Sequence, residues 1–266
     1  MPRWTEDDIP WDAFLPDRLS PDMLPLVKAA ALTEYNAGRY TQYLKNVFAD
    51  DEGFAETVAE WQAEEEQHGT VLGRYAERAD RTFDFHRTFR QFQAGYVIPV
   101  DVAGSVRGSR AGELLARCIV ETGTSSFYTV LAESTDEPVL KAICRRIAGD
   151  EYRHYRMFLD GLRRYQGKDR LSLPGRIKVV IGRIRESDDD ELAFAFHCAN
   201  RLGRPYDHAR ANRDYAALAY GLYRPQHAEK AVSMVFKAVG LNPQGILARI
   251  ASRWAFRVMS ARAVKE

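Results

Sequence analysis

Twice in this 266-residue chain a glutamate is followed about one helix-and-turn later by Glu-x-x-His. Glu34 precedes Glu65-Glu66-Gln67-His68, and Glu121 precedes Glu151-Tyr152-Arg153-His154, with Glu-to-Glu separations of 31 and 30 residues. On an α-helix, positions i and i+3 lie ~60° apart around the axis and ~4.5 Å apart along it, so both side chains of each pair face one way. Apolar neighbours show which way. Val58, Trp61, Leu72 and Tyr75 share the face of Glu65, and Leu140, Cys144, Ile147, Phe158 and Leu162 that of Glu151. Leu114, Cys118, Tyr128 and Leu131 flank Glu121, while Val27, Ala30, Thr41 and Leu44 flank Glu34. All four glutamates therefore lie in stripes that point into a core.

The periodicity predicts four long helices, over about 21–48, 51–79, 111–131 and 138–165. Ser20-Pro21 supplies a start signal for the first and Asp51 an N-cap for the second. The joints at about 50–53 and 134–138 are short, so each pair forms an antiparallel hairpin. A long connection, about 80–109, links the hairpins and includes a partly helical aromatic stretch, Phe83 to Tyr96, then Pro99. Two helical hairpins joined by a long crossover form the ferritin-like bundle. Leu173-Pro174-Gly175 reads as a break, followed by helices at 176–186, 189–201, 207–221, 226–239 and 243–262. The expected fold is all-α: an N-terminal extension (1–19), a four-helix bundle (20–166) and a C-terminal helical extension packed on it (167–266).

A buried carboxylate costs several kcal/mol unless a positive partner meets it. The stripes offer no lysine or arginine at the matching inward positions. Two divalent cations would balance four carboxylates, with two neutral histidines completing the ligand set. Mixed carboxylate and imidazole ligands suit iron or manganese better than zinc or copper, and this set in a bundle core is the di-iron carboxylate pattern. A salt-bridged bundle without metal is the alternative.

The net charge of +1 favours neither nucleic acid nor acidic membranes in bulk. No apolar run approaches the ~18 residues of a membrane span, and the start resembles no targeting segment, so a cytoplasmic location is expected. Cys118, Cys144 and Cys198 form no CxxC pair, which excludes a rubredoxin-type module.

At these motifs the chain resembles the soluble acyl-carrier-protein desaturases of the ferritin-like superfamily, over about residues 20–165. Trp61-Gln62-Ala63-Glu64-Glu65-Glu66-Gln67-His68-Gly69 is similar to the family's second-helix motif, and Ile147-Ala148-Gly149-Asp150-Glu151-Tyr152-Arg153-His154 to its fourth. Glu121-Thr122-Gly123-Thr124 reproduces a glutamate followed three residues on by threonine. The resemblance implies that Glu34, Glu65, His68, Glu121, Glu151 and His154 ligate two iron ions, with Glu65 and Glu151 bridging. It places the Thr124 hydroxyl on the oxygen-binding side and Asp150 behind His68; pseudo-symmetry puts Glu64 behind His154. The first-helix motif matches only at its glutamate, and Gln67 stands where arginine is usual.

The implied activity is O2-dependent desaturation of a fatty acyl chain carried by acyl carrier protein or coenzyme A. No GxGxxG motif follows a predicted strand, so electrons come from a separate ferredoxin-type donor. A homodimer is compatible with such a chain. Both carriers are acidic, and Arg176, Lys178, Arg183 and Arg185, or Arg249, Arg253, Arg257 and Arg262, are candidate docking patches. A hydroxylase or N-oxygenase would use the same ligands. A rubrerythrin-like or storage protein fits the missing cysteines and the long C-terminal extension less well. A non-catalytic metal-binding scaffold is the reading outside enzymology.

Overall fold

The computed structural model describes residues 3–169, 171–186, 190–201 and 203–264, and among them there is helix but no strand. The first hairpin comprises α1 (Leu24–Tyr35), α2 (Ala37–Val47) and α3 (Glu52–Ala79); the second comprises α5 (Arg110–Ser134) and α6 (Pro138–Asp169). Between them the crossover carries α4 (Phe85–Gly95). Side-chain caps set three of the starts: Asp51, Asp84 and Ser109 accept from the backbone N–H of Phe54, Arg87 and Gly112, each satisfying one orphan donor of the first turn.

The expected first helix is two. At Asn36 the backbone leaves helical geometry (φ −83°, ψ 4°), and its N–H bonds Thr33 O at 3.2 Å, an i−3 bond in place of the i−4 bond. Its side-chain amide reaches Glu191 at 3.4 Å, so a tertiary partner holds a residue of low helix propensity in the bend. Leu173-Pro174-Gly175 does not break the chain but opens α7 (Leu173–Glu186). Proline costs nothing in a first turn, and the Ser172 hydroxyl accepts from Gly175 N–H at 3.3 Å.

Four more helices follow: α8 (Asp190–Asn200), α9 (His208–Tyr220), α10 (Pro225–Val239) and α11 (Ile246–Arg262). Residue 189, the expected start of α8, lies outside the described residues. Helix α8 lies on α1, α7 and α10 lie on α5, and α11 packs on α10 and α9.

Two apolar clusters fill the bundle, one on each side of the predicted glutamates. One holds Leu26, Leu32, Leu72, Tyr75, Leu131, Ile143 and Ile147; the other holds Leu44, Val58, Trp61, Leu114, Cys118, Phe158 and Leu162. On α3, α5 and α6, and along α1 and α2 taken together, the predicted ligands fall between these groups. Helices α1 and α3 touch closely at that level. A Cβ on Gly69 would lie 2.6 Å from the backbone nitrogen of Tyr35, next to Glu34. One helix turn further on, a Cβ on Gly73 would lie 2.6 Å from the Phe85 ring.

Gly69→Ala should therefore force α1 away from α3. Overpacking of this kind costs about 1–3 kcal/mol, and the expected outcome is a lower thermal midpoint together with reduced metal retention. A second test concerns Lys28 of α1, which is buried and donates to Asp80 beyond α3 at 2.6 Å. The lysine hydrogen bond holds Asp80 down to about 2. Its stabilisation is full above the ordinary aspartate value near ~4 and is lost as pH falls through about 2. Asp80→Asn should flatten the acid limb of the stability profile across that window.

Candidate metal centre

The six predicted ligands converge at the middle of the bundle, all buried. Ligand atoms of Glu34, Glu65, His68 and Glu151 lie within 4.8 Å of one another, and so do those of Glu65, Glu121, Glu151 and His154. Glu65 and Glu151 belong to both sets. His68 Nδ1 is 3.1 Å from Glu151 Oε1 and 3.7 Å from Glu34 Oε2; His154 Nδ1 is 2.9 Å from Glu65 Oε1 and 3.7 Å from Glu121 Oε2.

The outer nitrogens determine the state of the rings. His68 Nε2 lies 3.0 Å from Asp150 Oδ2, and His154 Nε2 lies 2.7 Å from Glu64 Oε2. A carboxylate can only accept, so each Nε2 carries a proton, and in the neutral form of each ring the Nδ1 lone pair points inward. Both Nδ1 atoms, with Glu121 Oε2 and Glu151 Oε1, are buried without a hydrogen-bond partner. Lone pairs facing carboxylate oxygens repel unless a cation or protons sit among them. A divalent metal ion fits this donor set.

Electrostatics give the same answer. Burial, then the charges of Glu151 and Glu34, push Glu65 well above the ordinary carboxyl range; burial, then Glu151 and Glu65, do so for Glu121. Burial also opposes ionisation of Glu151, but His154 and His68 outweigh it and hold that carboxyl far below its usual value. Burial lowers both histidines, yet the carboxylates around them prevail and raise both. Without a cation the cluster takes up protons in its place, the coupling expected of a metal site.

Several contributors carry no local sequence signal. Trp4, in the N-terminal extension, donates from Nε1 to Asp150 Oδ2 at 2.7 Å and stacks on His68 with ring centres 6.0 Å apart. Arg153 donates to Asp150 and, at 3.1 Å, to Glu64, tying the two outer carboxylates together. Burial disfavours ionisation of Asp150 and Glu64, but the imidazoles and Arg153 hold both below the ordinary range. Tyr128 donates to Glu34 Oε1 at 2.6 Å. The expectation of no inward cation fails at Arg117, which is buried one turn before Glu121. It turns away, with Nε 3.6 Å from Glu113 and its guanidinium 5.0 Å from the Tyr40 ring centre, so it leaves the ligand charges unbalanced.

Thr124 donates to Glu151 Oε2 at 2.6 Å; its own helix carbonyls are farther, at 3.3 and 3.4 Å. With Glu34 and Glu65 it lines a cavity of about 380 Å3 between the bundle and the C-terminal helices, a volume in the usual range for small-molecule sites. Most of the wall is small or apolar, including Ala30, Gly123, Ala193, Ala216 and Val235. Arg117, Arg183 and Glu191 add a polar group to it.

The fatty acid desaturase family model matches residues 17–165. The chain belongs to this family. No curated protein matches it. The matched stretch contains all six clustered residues and Thr124, and ends before α7. The cavity wall built by α7–α11 therefore lies outside the stretch that defines the family.

Asp150→Asn and Glu64→Gln each weaken the proton acceptor behind one imidazole. Such changes typically cost ten- to hundredfold in metal affinity. Both variants should show losses of about that size in anaerobic Fe(II) titrations, with helicity by circular dichroism unchanged.

Proposed function

We propose that this chain is an O2-dependent di-iron fatty acyl desaturase. The observation that carries the reading is the pair of buried, unpartnered Nδ1 atoms facing four glutamates beside an apolar cavity. Glu34 and His68 would hold one iron and Glu121 and His154 the other, with Glu65 and Glu151 reaching both. Bound iron supplies the two-electron chemistry with O2 needed to attack an unactivated CH2. In balance, two electrons and two protons from outside, with two hydrogens from the acyl chain, reduce one O2 to two waters and leave a carbon–carbon double bond.

The chain's own residues do the rest. Tyr128 fixes one oxygen of Glu34, and Asp150 and Glu64 fix both rings. Thr124 holds a proton at Glu151 Oε2 on the cavity wall, where it can serve oxygen reduction. Apolar side chains exclude water and align the acyl chain. The electron donor is a separate ferredoxin-type protein, and the acyl chain arrives as a thioester of acyl carrier protein or coenzyme A.

The test supplies reduced ferredoxin, O2 and a panel of acyl substrates to iron-loaded protein and reads product masses. A product lighter by two hydrogens is expected; a gain of one oxygen atom would make the chain a hydroxylase instead. His68→Ala and His154→Ala should lose iron. Thr124→Val should keep iron and lose roughly a hundredfold in turnover; full activity would remove Thr124 from the mechanism.

A further inference from the structure

Among the described residues, nine of the fifteen exposed large hydrophobic side chains sit on just two helices, α7 and α11. On α11, Ile246, Leu247, Ile250 and Trp254 are 58–68% exposed, and Val258 continues the row. Ala248 and Ser252, on the opposite side, are buried. Arg249, Arg253 and Arg257 are exposed and follow the apolar row at the same one-turn spacing. No acidic residue occurs from 246 to 262. Helix α7 repeats the arrangement: Leu173, Ile177, Ile181 and Ile184 are exposed, with Lys178 and Arg185 exposed beside them.

Neither row is needed to hold the fold, because each helix packs through its other side. Both helices rest on α10. Both also reach the cavity beside the carboxylates, α7 through Arg183 and Ile184 and α11 through Met259 and Arg262. The two helices that carry the exposed rows thus also contribute to the cavity wall, although of the row residues only Ile184 lines it.

Three occupants could cover such a face, and charge separates them. A second copy pairing the same helices would set arginines against arginines; the only acid on either helix is Glu186, already bound by Arg107. Like charges opposed across an interface are costly. An acidic protein would satisfy the arginines, but it would need a matching apolar surface on each of two separate helices to cover all nine large apolar side chains as well. An anionic lipid surface satisfies both. A helix lying in the plane of the interface buries its apolar arc among the acyl chains while arginine and lysine reach the headgroups, and tryptophan favours that boundary. No helix among the described residues is long and apolar enough to cross a membrane, so the contact would be peripheral.

We propose that the exposed apolar and basic rows of α7 and α11 dock the chain on anionic lipid bilayers. The docking does not rest on the desaturase reading.

The test uses the full chain and sedimentation with phosphatidylcholine vesicles, with and without phosphatidylglycerol. Binding to the anionic vesicles is expected, weaker at high salt, with a blue shift of tryptophan emission that Trp254→Phe removes. Ile250→Glu with Trp254→Glu should weaken binding at least about tenfold while leaving iron content and thermal midpoint unchanged. Arg253→Gln with Arg257→Gln should weaken it by roughly tenfold or more, and only on anionic vesicles; this pair keeps the question open to refutation if the glutamate pair misfolds. No binding to anionic vesicles, or binding that neither pair alters, overturns the docking. So does a dimer that the glutamate pair splits without any vesicle binding, or capture of an acidic carrier protein without vesicle binding. Vesicle binding with no turnover of any acyl substrate would instead refute the desaturase reading and leave the docking standing.

Discussion

Four glutamates with two imidazoles occupy the centre of the bundle, and the core is organised around the cost of keeping them there. Helices α3, α5 and α6, and α1 continued by α2, run from one apolar cluster through the ligand level into the other. The carboxylate layer interrupts what would otherwise be a continuous core. Isolated ionised carboxylates in such a place would cost several kcal/mol each. Protons can relieve part of that cost, and two divalent cations relieve it more completely. The bundle's stability and its chemistry therefore depend on the same cluster of charges.

That dependence explains how far the supporting residues extend. Asp150 and Glu64 orient the rings, Arg153 ties the two carboxylates together, and Trp4 returns from the N-terminal segment to cap Asp150. Gly69 lets α1 come close enough for Glu34 to join the group. Beyond this shell, the family-defining bundle supplies the ligands, and the C-terminal helices supply much of the cavity wall. On the proposed function, much of the wall that would meet the substrate lies outside the matched stretch, at residues such as Arg183, Ala193 and Val235.

The ligand cluster was readable because helical period and residue chemistry coincide there: Glu-x-x-His on an apolar stripe leaves little freedom. The bend at Asn36 was not readable, since Glu191, more than 150 residues away, stabilises it. Leu173-Pro174-Gly175 misleads because the same residues that end a helix can also begin one, and only the Ser172 cap decides. Arg117 sits at an inward register yet turns toward Glu113 and Tyr40, a choice made by side-chain packing. Trp4 gives no local signal at all, because only the tertiary path brings it to residue 150. Pattern shows which face is buried; which neighbour meets it depends on the assembled fold.

The central claim is that the cluster holds two metal ions in two overlapping ligand sets. Diffraction from crystals of protein loaded anaerobically with Fe(II), measured on both sides of the iron absorption edge, tests it most directly. The account predicts two anomalous peaks, one between Glu34 and His68 and one between Glu121 and His154, with Glu65 and Glu151 in contact with both. A single peak, or iron held elsewhere with the two Nδ1 atoms unligated, would contradict it.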